Sequence, residues 1–126
     1  MIPEDLRYTA EHEWLTPLGS ESSHKVGITD FAQDSLGDIV FFDPPAVGSE
    51  VTAGEGYAEV ESVKAVSDVV APLSGEIIEV NEGLKDSPEQ INEDSYGEGW
   101  LVKIKLSDPS ESDSLMDPES YRQSLS

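Results

Sequence analysis

The chain has 126 residues, of which 37% are hydrophobic and 27% are charged, a balance typical of a single folded domain and not of a disordered chain. Its 27 acidic and 7 basic side chains give a formal net charge of -20, which argues against nucleic acid as a partner because that binding depends on Lys and Arg. The chain has no cysteine, so it cannot form disulfides or thiolate sites, and any redox step requires a group from elsewhere.

The N-terminal segment Met1–Asp5 does not resemble a secretory signal, because it lacks a basic stretch followed by an apolar run. No segment approaches the roughly 20 apolar residues that are needed to span a membrane. We therefore expect a cytoplasmic protein that does not enter the membrane.

From Trp14 to Leu106 the sequence consists of short runs of apolar and polar residues separated by Gly, Pro, Asn and Asp. This pattern predicts a mainly β protein with many short strands. The predicted strands are His24–Ile28, Asp38–Phe42, Tyr57–Val63, Val66–Val70, Glu76–Val80 and Trp100–Leu106.

Helices are expected to be few and short. A helix is predicted over Asp30–Leu36, where Asp30 and Gln33 have capping-box spacing and Gly37 supplies a stop. The acidic, serine-rich segment 107–126 is expected to form short helices or to be partly ordered. Further helices are expected to begin where a capping residue precedes proline, at Ser87-Pro88, Asp108-Pro109 and Asp117-Pro118.

A weak internal repeat aligns Gly37–Phe42 with Gly75–Val80, and each copy continues through a glycine into a further strand. Two similar halves predict a sandwich of two sheets related by a pseudo-twofold axis. The alternative is that any small β protein repeats a pattern of strand, turn and strand.

The segment Ala58–Ala71 is nearly a mirror about the pair Lys64-Ala65. Opposed residues of an antiparallel hairpin share a face, so the mirror predicts a hairpin with Lys64-Ala65 as its two-residue turn. Such turns favour Asn-Gly or other glycine-containing pairs, and Lys-Ala is neither. Positions where local rules fail are expected to be functional or strained.

Lys64 is therefore expected at an exposed hairpin tip. An exposed lysine amine is almost wholly protonated at pH 7, and the nearby Glu59, Glu61 and Asp68 favour the charged form. Schiff-base or general-base chemistry is thus disfavoured, and the remaining role is that of an attachment point for a prosthetic group. The alternative is an ordinary solvated lysine.

The motif Glu61-Ser62-Val63-Lys64-Ala65 is followed by Ser67-Asp68 and by Ala71–Glu76. This stretch resembles the lipoylation region of glycine cleavage H proteins. Lipoyl domains of 2-oxo acid dehydrogenases usually carry Asp before the lysine, and biotin carriers usually flank it with Met, so Val63 and Ala65 fit those families less well. The resemblance covers nearly the whole chain in family order. It includes Tyr8-Thr9, Glu11–Trp14, Val26–Gln33, Leu36–Asp38, Glu61–Ala65, Ser67-Asp68, Ala71–Glu76, Asn92–Asp94 and Tyr96–Trp100.

The resemblance implies a barrel-sandwich hybrid of two antiparallel sheets with a few short helices, one of them near the C-terminus, in a single lipoyl-carrier domain over residues 1–126. It also implies that Lys64 carries lipoic acid in amide linkage and that the chain is a shuttle and not an enzyme. The expected partners are glycine decarboxylase (P protein), aminomethyltransferase (T protein), dihydrolipoamide dehydrogenase (L protein) and the lipoylating enzymes.

Carried over position by position, the resemblance implies a cleft for the aminomethyl-loaded arm, with Glu13 and Asp68 as anionic partners of its amine and His12 as a lining residue. The alternative for each is ordinary surface polarity or a structural histidine. Glu11-His12-Glu13 is disfavoured as a metal site, because adjacent residues of a strand point in opposite directions, and no metal is expected. The residues expected to help lipoylating enzymes recognise the hairpin are Glu61, Ser62, Val63, Ala65 and Asp68. The alternative for the polar ones is ordinary strand polarity.

The sequence departs at three places from the residues that are more common in the family, namely at Glu11, Asp43-Pro44-Pro45 and Gln90-Ile91. Two other functions remain open from the sequence. One is an H-like protein that relays lipoyl groups to other enzymes, and the other is an acidic interaction module without a prosthetic group.

Overall fold

The computed structural model describes residues 2–17 and 22–125, whose strands form two antiparallel sheets. The larger sheet has the strand order β1-β2-β3-β9-β8-β5, and the smaller sheet has the order β4-β6-β7. The strands are β1 (Arg7–Tyr8), β2 (Glu13–Leu15), β3 (Ser23–Ile28), β4 (Ile39–Asp43), β5 (Glu50–Val51), β6 (Gly56–Ser62), β7 (Val66–Val70), β8 (Gly75–Val80) and β9 (Val102–Leu106).

The helices are short. None that lies in residues 2–17 or 22–125 is long and apolar enough to cross a membrane. They are α1 (Asp30–Leu36), α2 (Gly83–Asp86), α3 (Gln90–Glu93), a 3₁₀ helix (Pro109–Ser114) and α4 (Pro118–Ser124).

The predicted mainly β fold of two antiparallel sheets with short helices is confirmed. Each of the six predicted strands is present, with ends within two residues of the prediction. The strands β1, β2 and β5 were not predicted, because two or three residues are too few to show an alternating pattern. These strands depend on partners that only the folded chain supplies.

Helix α1 has the predicted bounds, but the prediction that Asp30 caps its N-terminus was wrong. The hydroxyl of Thr29, and not the carboxylate of Asp30, accepts a hydrogen bond from the amide of Ala32 at 3.3 Å. Asp30 instead accepts a 2.8 Å hydrogen bond from the side chain of Gln33. The N-cap residue of α1 is therefore Thr29, one position before the residue that the sequence pattern indicated.

Two of the three proline-marked helix starts are confirmed. Asp108 and Asp117 each accept a hydrogen bond from an amide of the first turn, that of Ser110 at 3.1 Å and that of Ser120 at 2.8 Å. The helix predicted to begin at Ser87-Pro88 begins at Gln90, after a turn. Helix α2, which precedes it, was not predicted.

The main core fills the space between the two sheets, and a second cluster covers the outer end of the larger sheet. In that second cluster Tyr121 of α4 is fully buried and stacks on Tyr8 with ring centroids 4.7 Å apart. Met116 and Tyr8 exchange two backbone hydrogen bonds. The described part of segment 107–126 therefore forms short helices that pack against the fold. The second cluster consists of Leu6, Tyr8, Trp14 and Tyr121.

The internal repeat corresponds to equivalent strand pairs. The first copy pairs β4 with β6, and the second pairs β8 with β9. Each pair contains a bulge at the same place in the aligned copies, at Val40 between Ile39 and Phe41, and at Ile78 between Ile77 and Glu79. Matching bulges favour a true repeat over a generic pattern of strand, turn and strand.

Candidate functional site

Strands β6 and β7 form the predicted hairpin, but in a different register. Glu61 lies opposite Val66, and Val60 lies opposite Ser67. The mirror in the sequence placed Val63 opposite Val66, which is wrong by two positions. The two residues at the tip are therefore Val63 and Lys64.

The side chain of Ser62 explains this register. Its Oγ accepts hydrogen bonds from the amides of Lys64 at 3.1 Å and Ala65 at 3.2 Å. Its own amide donates to the carbonyl of Ala65 at 2.8 Å. Because the hydroxyl satisfies the tip amides, neither Val63 nor Lys64 adopts a positive φ, and the turn forms without glycine.

The side chain of Lys64 is exposed and lies across the end of α1. Its Nζ donates a hydrogen bond to the carbonyl of Ser35, in the last turn of that helix, at 3.0 Å. A cation at this end of a helix meets unpaired carbonyls. Gly37, which ends α1 at φ 83°, leaves room for the lysine, since a Cβ there would lie 3.1 Å from Lys64 Cε. The amine thus sits at the hairpin tip, beside the C-terminal end of α1.

A cavity of about 210 Å³ opens beside this lysine, between α1, the β1–β2 turn and the edge strand β7. It brings together the three residues that the resemblance placed in a cleft, Glu13, Asp68 and His12. Ser35, whose carbonyl holds the Lys64 amine, is also on its wall. The complete lining is Glu11, His12, Glu13, Ile28, Phe31, Ala32, Ser35, Leu36, Val60, Ser67, Asp68, Val69 and Val70.

Glu13 is the unusual group in this cavity. It is 2% exposed, and within the described residues neither of its carboxylate oxygens has a hydrogen-bond partner. Burial, reinforced by the negative charge of Glu11 and only partly offset by the nearby hydroxyl of Thr9, raises the pKa of Glu13 well above its ordinary value. A buried acceptor without a partner is costly, so Glu13 favours a ligand that can donate hydrogen bonds to it, above all a cation.

Tyr57 is a second buried polar group that the sequence did not single out. Its hydroxyl is buried without a hydrogen-bond partner among the described residues. Burial and the charge of Glu13 raise the pKa of Tyr57 well above its ordinary value. Regular strand alternation would place Tyr57 on the outer face of the sheet. The register shift between Gly56 and Ala58 interrupts this alternation, and the Tyr57 side chain packs against the core instead.

His12 is held in place by the C-terminal helix. Its backbone has a φ of 66°, in the left-handed region that few non-glycine residues occupy. Its Nδ1 shares a 3.0 Å hydrogen bond with the hydroxyl of Tyr121, which lies 2.8 Å from the hydroxyl of Thr29. The His12 ring also packs on Phe31, with centroids 4.6 Å apart. The sequence indicated His12 but not Tyr121, because no local pattern links residues so far apart in the chain.

The reason given for rejecting Glu11-His12-Glu13 as a metal site was wrong. Glu11 and His12 lie in a turn before β2, not in a strand, and all three residues line the cavity. Even so, residues 2–17 and 22–125 contain no group of three or more His, Asp or Glu that could hold a metal ion.

The site therefore combines an exposed amine at a hairpin tip with a neighbouring cavity that has apolar walls and a buried acid. Ile28, Leu36 and Val69 supply apolar surface, and Glu13 supplies the acid. Such a cavity suits a long, mostly apolar group with a cationic end.

Comparison with known proteins agrees with this geometry. The family model described as "Glycine cleavage H-protein" matches residues 6–126. The glycine cleavage system H protein of Coprothermobacter proteolyticus is 58% identical over 122 residues, covering 97% of this chain and 95% of that protein. That of Carboxydothermus hydrogenoformans is 50% identical over 125 residues, covering 99% and 95%.

The crystal structure of a glycine cleavage system H protein from Mycobacterium marinum superposes with a TM-score of 0.89 at 41% identity, covering 98% of both chains. Sequence and structure thus agree over almost the whole length. The chain belongs to the glycine cleavage H-protein family, whose members are lipoyl-carrying shuttles and not enzymes.

Proposed function

We propose that this chain carries lipoic acid in amide linkage on Lys64 and that residues 1–126 act as one carrier domain. The observation that carries the proposal is the position of the Lys64 amine, at an exposed hairpin tip and 3.0 Å from the carbonyl of Ser35, a residue that lines the Glu13 cavity. The loaded arm would serve glycine decarboxylase, aminomethyltransferase and dihydrolipoamide dehydrogenase in turn.

Lys64 is the best attachment point among the five lysines of the chain. Lys85 and Lys103 form ion pairs with acidic side chains at 3.0 and 3.5 Å, and Lys25 lies over the ring of Trp100. Lys105 lies within β9, between neighbouring strands on both sides. A modifying enzyme can reach a hairpin tip more easily than any of these places.

Amide formation would remove the positive charge of Lys64 but leave one N–H. That N–H can keep the hydrogen bond to the Ser35 carbonyl, which would hold the root of the arm at the edge of the cavity. The dithiolane supplies the sulfur chemistry that this cysteine-free chain lacks. The residues present fit the group, because the apolar walls suit its hydrocarbon chain.

The role proposed for Glu13 is to bind the amine at the end of the loaded arm. Its two unpartnered oxygens can accept charge-assisted hydrogen bonds from an ammonium group. Asp68, exposed at the edge of β7, adds a second negative charge at the cavity. His12 and Phe31 would narrow the opening to water.

Of the five residues proposed for recognition by lipoylating enzymes, four are accessible to such an enzyme and one is buried. Glu61, Val63, Ala65 and Asp68 are exposed and can be contacted. Ser62 is buried, and its hydroxyl is occupied within the turn. Ser62 therefore contributes by shaping the tip and not by touching the enzyme.

The test is the intact mass of the protein purified from its own cells under conditions where lipoate is made, followed by peptide mapping. We expect one lipoyl group, on the peptide that contains Lys64 and not on the one that contains Lys105. A chain without lipoate under these conditions, or with lipoate on another lysine, would contradict the proposal.

A further inference from the structure

Four of the exposed large apolar side chains in the described residues surround the hairpin tip. Val40, Phe41, Val63 and Val66 are 50%, 52%, 67% and 59% exposed. Phe41 lies opposite Glu61, which in turn lies opposite Val66, so Phe41 and Val66 share the outer face of the smaller sheet. We call these four apolar residues the tip patch.

The bulge in β4 creates half of this patch. Regular alternation would bury one of two successive residues, but the extra residue at the bulge exposes both Val40 and Phe41 while Ile39 and Phe42 stay buried. In the second copy of the repeat the equivalent position to Phe41 is Glu79, which pairs with Lys103 at 3.5 Å. The fold therefore tolerates a polar residue at this bulge, and the exposed phenyl ring needs another explanation.

A row of acids lies next to the tip patch on the same face. Asp43 is opposite Glu59, and Glu59 is opposite Asp68. All three are exposed, and none forms an ion pair within the part of the chain that the structure describes. Like charges directly opposite one another are destabilising, which basic side chains of a partner would relieve. We call these three residues the acidic row.

We propose that the tip patch and the acidic row form the docking surface for the enzyme that attaches lipoate to Lys64, and that this enzyme presents an apolar hollow flanked by Lys or Arg. The inference rests on the proposed function. The modifying enzyme must bring its reacting carbonyl to Nζ itself, so it has to contact the surface around the tip. Enzymes served by the loaded arm react at its dithiolane end, away from Nζ, so their chemistry does not require contact with the surface around the tip.

The reaction that this docking serves is acyl transfer from lipoyl adenylate, which the modifying enzyme makes from lipoate and ATP. The Lys64 ammonium loses two protons in all. A C–N bond forms between Nζ and the lipoyl carbonyl carbon, the C–O bond to AMP breaks, and AMP leaves with the electron pair.

The experiment measures the initial rate of lipoylation by a lipoate ligase supplied with free lipoate and ATP, with the intact mass as readout. Phe41→Thr and Val66→Thr keep a strand-forming residue but remove apolar surface. We expect a fall of about tenfold in kcat/KM for Phe41→Thr, mostly through KM. The matched control is Val47→Thr, because Val47 is 62% exposed but lies between β4 and β5, outside the smaller sheet, and its rate should not change.

The acidic row has its own matched pair of variants. Glu59→Gln should lower the rate about threefold at low salt and weaken the dependence of the rate on salt. Glu50→Gln, an exposed acid on β5 in the other sheet, should change neither. Equal effects of the two variants would mean that only net charge matters, and this would overturn the role of the row.

Two further measurements separate this inference from its rivals. Acylation of Lys64 by the N-hydroxysuccinimide ester of lipoate should be equal in wild type and Phe41→Thr, because the reactivity of the amine is intact. Once fully lipoylated by prolonged incubation, Phe41→Thr should support glycine decarboxylation like wild type.

The inference is overturned if Phe41→Thr and Val47→Thr are lipoylated at the same rate. It is also overturned if Phe41→Thr impairs only the decarboxylation step, or if sedimentation shows that the tip patch joins two copies of the chain. A wild-type chain that accepts no lipoate would instead contradict the proposed function, so the two failures can be told apart.

Discussion

The two halves of the repeat, β4 with β6 and β8 with β9, share a strand pairing and a bulge but differ in what the bulge presents. In the second half Glu79 pairs with Lys103 at 3.5 Å and the surface is polar. In the first half Phe41 is exposed beside the lysine-bearing tip. Both halves therefore keep the bulge, whereas the side chain that follows it differs, a charged residue in an ion pair in one half and an exposed phenylalanine in the other.

The glycines that begin the two copies show the same point for the backbone. Gly75 leaves room for a neighbouring strand, since a Cβ there would lie 2.1 Å from the carbonyl oxygen of Lys105. Gly37 has a φ of 83° and a ψ of -163°, a conformation essentially restricted to glycine, and it leaves room for Lys64. Equivalent positions thus require glycine for different reasons, one from sheet packing and one from the helix end beside the site.

The largest expected effect comes from replacing one lysine by arginine, Lys64 in the first half or Lys103 in the second. Lys64→Arg keeps the charge and the hydrogen-bonding ability but offers a guanidinium that is not acylated. We expect a folded protein without lipoate and without glycine-dependent release of carbon dioxide, as measured by intact mass and by the decarboxylation assay. Lys103→Arg should retain both. Lipoylation of the Lys64→Arg chain would break the functional asymmetry between the halves.

The next effect compares the two glycines. Gly75→Ala should lower the free energy of unfolding by about 3 kcal/mol or more, because the methyl group meets backbone that cannot move away. Gly37→Ala should lower it by about 2 kcal/mol, because the φ of 83° and ψ of -163° at this position define a conformation essentially restricted to glycine. Urea unfolding of the two variants checks this order, and equal losses would contradict it.

A smaller effect concerns Glu13, which faces the smaller sheet across the cavity. Because burial raises its folded-state pKa, Glu13 contributes most to stability below its ordinary pKa of 4.5, and that contribution is lost as the pH rises towards the folded-state pKa. Glu13→Gln mimics the protonated acid, so at pH 7 it should stabilise the chain without lipoate by on the order of 1 kcal/mol. The gain should vanish below about pH 4.5.

Thermal unfolding of Glu13→Gln across this pH range provides the check, with the exposed acid Glu61→Gln as control. A gain that does not depend on pH would show that the charge of Glu13 is not the cause. Glu13→Gln should also shorten the lifetime of the aminomethyl adduct on the lipoyl arm, without slowing lipoylation of Lys64. An unchanged decay rate would remove Glu13 from the proposed cleft.

The smallest effect is expected when the phenylalanine of the first half, Phe41, is copied to the equivalent position of the second half, Glu79. Glu79→Phe removes an exposed ion pair and should change the free energy of unfolding by less than about 1 kcal/mol. Lipoylation of Lys64 should be unaffected, because the altered bulge lies in the other sheet. A slower lipoylation rate would show that exposed phenylalanine acts by a general effect and not by its place beside the tip.

Much of the site could be predicted because its signals are local. The near mirror about Lys64 predicted the hairpin, and alternation predicted its strands. The register could not be predicted, since it depends on whether the Ser62 hydroxyl binds the tip amides. Nothing nearby in the sequence reveals that choice.

Other parts of the site come from residues that are distant in the chain. Tyr121 reaches His12 only because α4 packs on the larger sheet. Tyr57 turns inwards because of an irregularity that strand alternation does not show. Glu13 lies on a strand too short to be predicted, and its burial depends on the opposite sheet.

By itself the sequence determined the class of fold, the presence of the hairpin and the lysine near its tip, because these depend on periodicity, turn residues and motif spacing within short segments. Only the tertiary structure decided the register of the tip, the burial of Glu13 and the exposure of Phe41. These depend on which distant side chains and backbone groups meet, and on the bulges that set the direction of each side chain.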